Sequence, residues 1–179
     1  AECELLFNFA DVRTQEFFIE GANPSAAVVR GVYGGVAARA QAEPVAMTGE
    51  SIASRLPEKA NDMAVSTALV LLERAGLVAR TFDPDSGTSK LSLPGPPRSG
   101  RDLPFDFAAL EEKHRRDRRR LALMIRYVES RTCRHRFILD YFGDPATPTA
   151  CTACDRCPGH AAAPAHALSD DEITIVQKA

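Results

Sequence analysis

The hydrophobic pattern of the chain begins with a short apolar run at residues 4–9, which predicts a buried strand. Asp11 follows at a position suited to a helix N-cap and predicts a helix over residues 12–20 that ends at Gly21. Because a single strand is not stable alone, the run also predicts a partner sheet elsewhere in a longer polypeptide. Cys3 belongs to this strand and is expected to be a small buried hydrophobe, not a metal ligand.

A second apolar repeat predicts a helix over residues 24–42, with Asn23 as its cap and Pro24 as its first residue. The valines of this repeat recur every four residues and therefore share one face. Glycines within it either permit close packing or weaken the helix by about 1 kcal/mol each relative to alanine. The pattern leaves both interpretations open.

The chain between residues 23 and 95 is predicted to fold as a winged helix-turn-helix. Thr48 and Asn61 can cap two successive helices, and the second of these ends at a glycine. Residues 77–82 and 89–93 then flank a tip rich in Asp, Pro, Ser and Gly, as the two strands of a wing do.

The second of these helices corresponds to the one that enters the DNA major groove in this class of module. Arg74 is its only basic residue, and Asp62 and Glu73 oppose it. Such a helix is a poor reader of base edges, so sequence-specific recognition is disfavoured. Arg80 and Lys90 on the wing can still contact phosphates, which position a protein on DNA without specifying a sequence.

Proline and glycine in residues 96–105 predict a linker, and residues 106–158 are predicted to form a helical hairpin. Its first helix covers residues 107–130 with Asp106 as its N-cap, and its second covers residues 133–142 and ends at a glycine. Residues 159–179 are predicted to be a second linker and the start of a further helix. Three apolar side chains of the second hairpin helix are expected on its inner face: Phe137, Ile138 and Tyr141.

Four cysteines follow the spacing C-x17-C-x2-C-x2-C, at Cys133, Cys151, Cys154 and Cys157. A two-residue spacer lets a tight turn bring both sulfurs of a pair onto one ion, and zinc binds four thiolates in a tetrahedron. Four protein ligands leave no open coordination position, so one structural zinc ion is predicted. The expected fold is therefore mainly α: a winged helix-turn-helix plus a zinc-stapled helical hairpin, with a short stray strand at the N-terminus.

Three other uses of these thiols compete with zinc. Disulfides need an oxidising compartment, and the N-terminal residues carry neither the basic nor the long apolar segment of a secretory signal. A redox-active pair would open a helix after a strand, whereas these cysteines overlap in a loop. An iron–sulfur cluster stays open, since Pro158 follows the cysteines as in ferredoxin sequences, although the long spacing to Cys133 favours zinc.

Composition and charge describe an ordinary globular protein with one unusual segment. Of the 179 residues, 45% are hydrophobic and 26% charged, and no apolar run approaches the about 20 residues of a membrane span. Residues 113–136 carry a net charge of +8, so the rest of the chain carries −10 of the overall −2. This asymmetry indicates a local surface for a polyanion.

The basic segment lies mostly on the long hairpin helix and predicts phosphate contacts, with a simple solvated face as the alternative. The candidate DNA-binding residues of the whole chain are Arg80, Lys90, Arg115, Arg116, Arg118, Arg119, Arg120, Arg134 and Arg136. Arg134 is also expected to pair with Asp155 and to hold the cysteine loop on the hairpin. His114 and His135 are expected to be surface residues rather than additional ligands.

Residues 127–144, with the sequence YVESRTCRHRFILDYFGD, and residues 151–157, with the sequence CTACDRC, closely resemble the zinc-binding subdomain of RecQ-family DNA helicases. The opening AECELLF and residues 11–21 also look like the stretch that follows the last motor motif of such helicases, so residues 1–22 would be the tail end of a motor lobe. Together these segments cover about half of the chain.

The resemblance implies a region of an ATP-dependent 3′ to 5′ DNA helicase of repair and recombination, located in the bacterial cytoplasm and associated with the nucleoid. Its partners would be duplex DNA or a single-strand/duplex junction and the rest of its own helicase core, with no membrane partner. Zinc would be structural, and ATP and magnesium would be used only by the full-length protein, because no G-x4-G-K-[ST] phosphate loop occurs in these residues.

One feature departs from the RecQ pattern. In that family the winged helix follows the zinc module, whereas here the candidate winged helix precedes it. A divergent RecQ-like subfamily would explain this order. Two functions without a motor are kept as alternatives: a zinc-stapled winged-helix transcriptional regulator and a protein-docking module.

Overall fold

The computed structural model describes residues 5–40, 43–56, 60–84, 87–145, 151 and 153–158. The chain divides into two compact units, Ala1–Leu123 and Met124–Ala179. Its fold is mainly α, as predicted, with a small three-stranded sheet in the first unit. The predictions for Cys3 and for residues 159–179 fall outside the described residues.

Helices and strands of the described residues follow in the order α1 (Phe9–Ala22), α2 (Ala26–Ala37), β1 (Val45–Ala46), α3 (Gly49–Ala53), α4 (Asp62–Arg74), β2 (Ala79–Asp83), β3 (Thr88–Ser92), α5 (Phe107–Glu129) and α6 (Arg134–Phe142). From α3 to β3 the order of two helices and a hairpin is the order that the sequence predicts. None of these helices is both long and apolar enough to cross a membrane.

The N-terminal strand is the clearest error of the sequence-based prediction. Residues 5–8 have no regular structure, and α1 begins at Phe9. The Asn8 side chain, not that of Asp11, caps this helix by accepting a hydrogen bond from the backbone N–H of Ala10 at 3.0 Å. Phe9 is 65% exposed, so the apolar run lies on the surface, and no strand of the described residues pairs with it.

Helix α2 begins two residues later than predicted. Its cap is Ser25, whose hydroxyl accepts a hydrogen bond from the Val28 N–H at 3.2 Å. Asn23, the expected cap, points inward and is only 7% exposed. The helix ends at Ala37, five residues before the predicted end at residue 42.

Caps in the centre of the first unit lie where the sequence places them. The Thr48 hydroxyl accepts a hydrogen bond from the Ser51 N–H at 3.1 Å and starts α3. Oδ1 of Asn61 accepts one from the Ala64 N–H at 2.7 Å and starts α4. Gly76 follows α4 with a φ of +67°, a left-handed conformation that glycine adopts without strain, and the chain then enters β2.

The three strands form an antiparallel sheet in the order β1-β3-β2. Val45 of β1 faces Leu91 of β3, and Thr81 of β2 faces Lys90 of β3. Because β3 is central, the hairpin of β2 and β3 is joined to the helices through both β1 and the buried side chain of Leu91.

The core of the first unit lies between α2 and α4. Burying one large apolar side chain contributes about 1.5–3 kcal/mol, so this layer is the main source of stability. Gly34 and Gly35 have no atom within 4 Å of an added Cβ, so these two glycines do not serve close packing. The fully buried large side chains are Val29, Val32, Val36, Ile52, Val65, Leu72 and Val78.

Helix α1 packs on the N-terminal end of α4. A Cβ atom added to Gly21 would lie 2.6 Å from Met63 Cγ, so the two helices are in close contact at this point. Nδ2 of Asn61 donates a hydrogen bond to the Phe17 carbonyl oxygen at 3.1 Å. One side of the first turn of α4 therefore lies against α1.

Residues 94–106 join β3 to α5 and pack against α2; we call this segment the strap. The Arg98 N–H donates a hydrogen bond to the Tyr33 hydroxyl oxygen at 2.7 Å, and Leu103 is 6% exposed within the core. A stretch rich in proline and glycine is thus held on the core by one buried tyrosine and one buried leucine.

Helix α5 starts at the predicted cap. Oδ1 of Asp106 accepts a hydrogen bond from the Ala109 N–H at 3.0 Å. The helix is 23 residues long. Gly143, with a φ of 72°, ends α6 as predicted.

The expected inner face of α6 is only partly correct. Phe137 packs edge to face on Tyr127, with 5.4 Å between the ring centroids. Ile138 and Tyr141 are 42% and 50% exposed. These two side chains therefore do not form a buried inner face together with Phe137.

Candidate metal centre and basic residues

The first metal ligand expected from the sequence lies at the start of α6. Cys133 occupies the N-cap position but makes no capping hydrogen bond through its side chain, so its sulfur is available to an ion. The predicted helix start at residue 133 is thus one residue early. A turn after α6 carries the other thiols, and its backbone is closed by a hydrogen bond from the Cys157 N–H to the Cys154 carbonyl oxygen at 3.1 Å.

The four predicted thiols come together. Sγ atoms of Cys133, Cys151, Cys154 and Cys157 all lie within 4.8 Å of one another, and those of Cys133 and Cys154 are 3.9 Å apart. Four sulfurs at about 2.3 Å from a tetrahedral zinc ion are about 3.8 Å apart. The cluster therefore fits one zinc ion, and with four protein ligands the site is structural.

Hydrogen bonding gives two of these thiols different pKa values. Burial acts to raise the pKa of Cys154, but backbone N–H groups of Arg134 and Arg156 donate to its sulfur and lower the pKa to about 6. The hydrogen bond with Cys154, burial and the nearby Cys133 raise the pKa of Cys157 to about 12. Thiols this close cannot all ionise without a cation to balance their charge, and metal binding displaces their protons.

Arg134 joins the cysteine loop to the helices. Its Nε lies 3.1 Å from Oδ1 of Asp155, which confirms the predicted pair, and this hydrogen bond holds the pKa of Asp155 below its usual value. The guanidinium also donates to the carbonyl oxygens of Tyr127 and Val128 and stacks 4.9 Å from the Tyr127 ring centroid. Only 16% of the Arg134 side chain is exposed, so this residue contacts other parts of the protein and offers little surface to an external ligand.

Most of the candidate DNA-binding residues already contact a carboxylate. Their ion pairs are Arg80 with Glu73, Lys90 with Asp83, Arg115 with Glu112, Arg118 with Glu20, Arg120 with Asp117, Arg134 with Asp155 and Arg136 with Asp140. Exposed pairs of this kind contribute little stability, about 0–1 kcal/mol each. The paired carboxylates do lower the local positive charge that a polyanion would meet.

Arg116 and Arg119 differ from the other candidates. Both are exposed on α5, and neither has an ion-pair partner within the described residues. Three positions apart on a helix, they lie on the same side. The structure thus shows two unpaired arginines on one helix side, whereas the sequence predicted a block of five.

Sequence reasoning missed two groups of polar contacts in the first unit. Asn23 contacts Lys113 and Asp117 on α5, and Arg30 contacts the strap. Local patterns give no signal for either, because each joins residues that are 70 or more positions apart.

A family model described as RecQ zinc-binding matches residues 100–158, which is 59 of the 179 residues. The matched segment contains α5, α6 and all four clustered cysteines. Comparisons with curated proteins and with solved structures find no significant match. The family match supports a relationship to RecQ helicases, and together with the thiol cluster it fits one structural zinc ion.

Proposed function

We propose that this chain is the DNA-binding, zinc-containing region of a RecQ-like, ATP-dependent DNA helicase that unwinds in the 3′ to 5′ direction during repair and recombination. The observation that carries the proposal is the four-thiol cluster at the start of α6, within the segment that matches the RecQ zinc-binding family. Its substrate would be duplex DNA or a single-strand/duplex junction at the bacterial nucleoid. The rest of the helicase core would be its other partner.

The chemistry proposed for these residues is binding, not ATP hydrolysis. A phosphate loop of the form G-x4-G-K-[ST] does not occur in the sequence, so ATP and magnesium would be used by the motor of the full-length protein. The zinc ion would hold the cysteine loop against α6 and leave no open position for a reacting water.

Arg116 and Arg119 are the strongest candidates for contacts to DNA phosphates, because neither has to release a carboxylate of the described residues first. The paired candidates would exchange a carboxylate for a phosphate and gain less. Arg134 would act indirectly, by keeping the cysteine loop in place.

We further propose that residues 23–95 are a winged helix that contacts the DNA backbone without reading its sequence. In this class of module the N-terminal residues of the recognition helix contact base edges. Contacts of Asn61 and Met63 with α1 cover one side of that end of α4, and the exposed side of the helix carries Asp62, Ser66, Val70 and a single basic residue, Arg74. These features favour a backbone-binding module over an operator-reading regulator.

Fluorescence anisotropy of the 179-residue protein with labelled DNA tests the proposal. Duplex, single-stranded and forked probes of two unrelated sequences are titrated between 50 and 200 mM salt. We expect affinities within about threefold between sequences and a fall of about tenfold or more across the salt range. A preference of about a hundredfold for one sequence would support the transcriptional regulator. Absence of binding at 50 mM salt would favour the protein-docking module.

A further inference from the structure

Arg30 of α2 is held in an unusual way on the surface of the first unit. Its guanidinium carbon lies 4.4 Å from the centroid of the Phe107 ring, and its Nε donates a hydrogen bond to the Gly100 carbonyl oxygen at 3.2 Å. Phe107 is half-buried and packs against the core, so the ring is a firm support. The plane and the direction of the guanidinium are therefore fixed by two independent contacts.

These contacts use only one of the five N–H groups of the guanidinium. The terminal Nη groups of Arg30 have no hydrogen-bond partner within the described residues, and the side chain is exposed. Two parallel N–H groups on a planar fork are suited to bidentate binding of a phosphate. An arginine that is already oriented loses less conformational entropy when it binds such a group.

Two further arginines lie beside this one on the strap. Arg98 is fixed through its backbone N–H to the Tyr33 hydroxyl, and Arg101 through its backbone N–H to the Ser99 hydroxyl. Their side chains are exposed and form no hydrogen bond or ion pair with other described residues. The strap thus adds two free cations close to Gly100, the residue that Arg30 contacts.

The strap itself contains two acidic residues. Asp102 is exposed on the strap next to Arg101, and Asp106 uses one carboxylate oxygen to cap α5. Arg30, Arg98 and Arg101 outnumber these two carboxylates by one.

We propose that Arg30, Arg98 and Arg101 form a second phosphate-binding site, occupied by the backbone of a nucleic acid. This inference rests on the proposed function, because a chain that does not bind DNA has no such ligand. The site is built from α2 and the strap, whereas the candidates considered above lie on α5, α6 and the wing. Arg30 makes the oriented bidentate contact, and Arg98 and Arg101 contact neighbouring phosphates.

The test uses the full chain and a labelled 20-base-pair duplex. An Arg98→Gln/Arg101→Gln variant keeps every backbone hydrogen bond of the strap and should bind about tenfold more weakly at 50 mM salt, with a salt dependence shallower by about two counterions. Arg30→Lys keeps the charge but loses the planar fork, so affinity should fall about threefold with little change in salt dependence. The control is Arg55→Gln, an exposed arginine after α3, with less than a twofold change expected.

Thermal unfolding of each variant separates binding from folding. Arg30→Lys could lower the midpoint of thermal unfolding while the glutamine double variant binds DNA like the wild type. Arg30 would then only hold the strap, and the proposal would be wrong. Equal weakening in the Arg55→Gln control would show a general charge effect and would also overturn it. If every variant binds DNA as tightly as the wild type, this site is ruled out and the proposed function is not affected. If the wild type itself does not bind DNA, both the site and the proposed function are ruled out.

Inorganic phosphate tests whether the ligand of this site is the backbone of a nucleic acid or a small phosphate compound. Titration to about 50 mM, followed by NMR of arginine side-chain N–H groups, should shift the Arg30 signal weakly, because a single phosphate contact is individually weak. A strong shift together with no DNA binding would assign the site to a small phosphate compound and overturn the nucleic-acid assignment.

Discussion

Asn23 and Asp117 are 94 positions apart, yet Nδ2 of Asn23 donates a hydrogen bond to Oδ2 of Asp117 at 3.0 Å. The same amide nitrogen donates to the Ile19 carbonyl oxygen at 2.8 Å, and Oδ1 accepts a hydrogen bond from Lys113. Lys113 in turn contacts Asp117 at 3.2 Å. One nearly buried amide thus joins the turn between α1 and α2 to the first half of α5, with both its donors and its acceptor satisfied.

Replacing Asn23 by aspartate should destabilise the protein by about 2–3 kcal/mol at pH 7. The substitution keeps the shape but removes both donated hydrogen bonds and places a second carboxylate against Asp117. Urea denaturation measures the loss. Asn8→Asp is the matched control: Asn8 caps α1 by accepting a hydrogen bond, and aspartate caps a helix equally well. Equal stability of the two variants would contradict the role of Asn23.

The same contacts predict a pH dependence. The hydrogen bond from Asn23, and then the contact with Lys113, hold the pKa of Asp117 below its usual value. A group with a lowered pKa in the folded state contributes stability that is present above its unfolded pKa of about 3.9 and is lost as the pH falls through the folded value.

An Asp117→Asn variant should therefore be less stable than the wild type at pH 6, and the difference should shrink as the pH falls below about 4. The measurement is the free energy of unfolding in urea at several pH values. Curves that stay parallel down to pH 2 would show that the charge of Asp117 plays no part in stability.

Removal of the metal should loosen the second unit. Purified protein is expected to contain one zinc ion per chain, and Cys154→Ser should lose it, because three ligands leave the cluster of thiols open. Structural zinc contributes about 10 kcal/mol or more of apparent binding free energy, so α6 and the cysteine loop should become sensitive to protease. His135→Ala, which changes an exposed residue of α6, is the control and should keep its zinc. Stoichiometric iron with absorbance near 400 nm would identify a cluster instead.

Arg134 should be needed for the cysteine loop to stay on the helices. Arg134→Lys keeps the charge but cannot bond both the Asp155 carboxylate and the carbonyl oxygens at the end of α5, so a loss of about 2 kcal/mol is expected. Zinc release in the presence of a chelator should be faster in this variant. Arg131→Lys, at an exposed neighbouring position, should release zinc at the wild-type rate. Equal rates in the two variants would leave Arg134 without a positioning role.

Local signals in the sequence locate the ends of helices well. Thr48, Asn61 and Asp106 cap the helices that they were predicted to cap, because an N-cap hydrogen bond joins residues only three positions apart. The thiol cluster could be predicted for a similar reason. Two-residue spacers confine the sulfurs of Cys151, Cys154 and Cys157 to one turn, so only the position of Cys133 depends on the fold.

Contacts between distant residues could not be predicted in this way. Asn23 has the residue type of a cap, but burial against α5 gives its amide stronger partners, and Ser25 takes the cap. The apolar run before α1 has the composition of a strand, yet Asn8 starts a helix within it. In both cases a polar side chain decided the outcome, and the hydrophobic pattern alone did not contain that information.

Two glycine substitutions should have opposite effects on stability. Alanine at Gly21 would place its Cβ 2.7 Å from Met63 Cβ, an atom that moves only with the backbone of α4, so α1 and α4 must separate. Overpacking of this kind costs about 1–3 kcal/mol. Gly34 lies within α2 with no atom within 4 Å of an added Cβ, so Gly34→Ala should stabilise the protein by up to about 1 kcal/mol through helix propensity. Thermal and urea unfolding of the two variants provide the measurement. If Gly21→Ala is as stable as the wild type, α1 does not pack on α4 as closely as described, and the first turn of α4 would then be free to reach DNA.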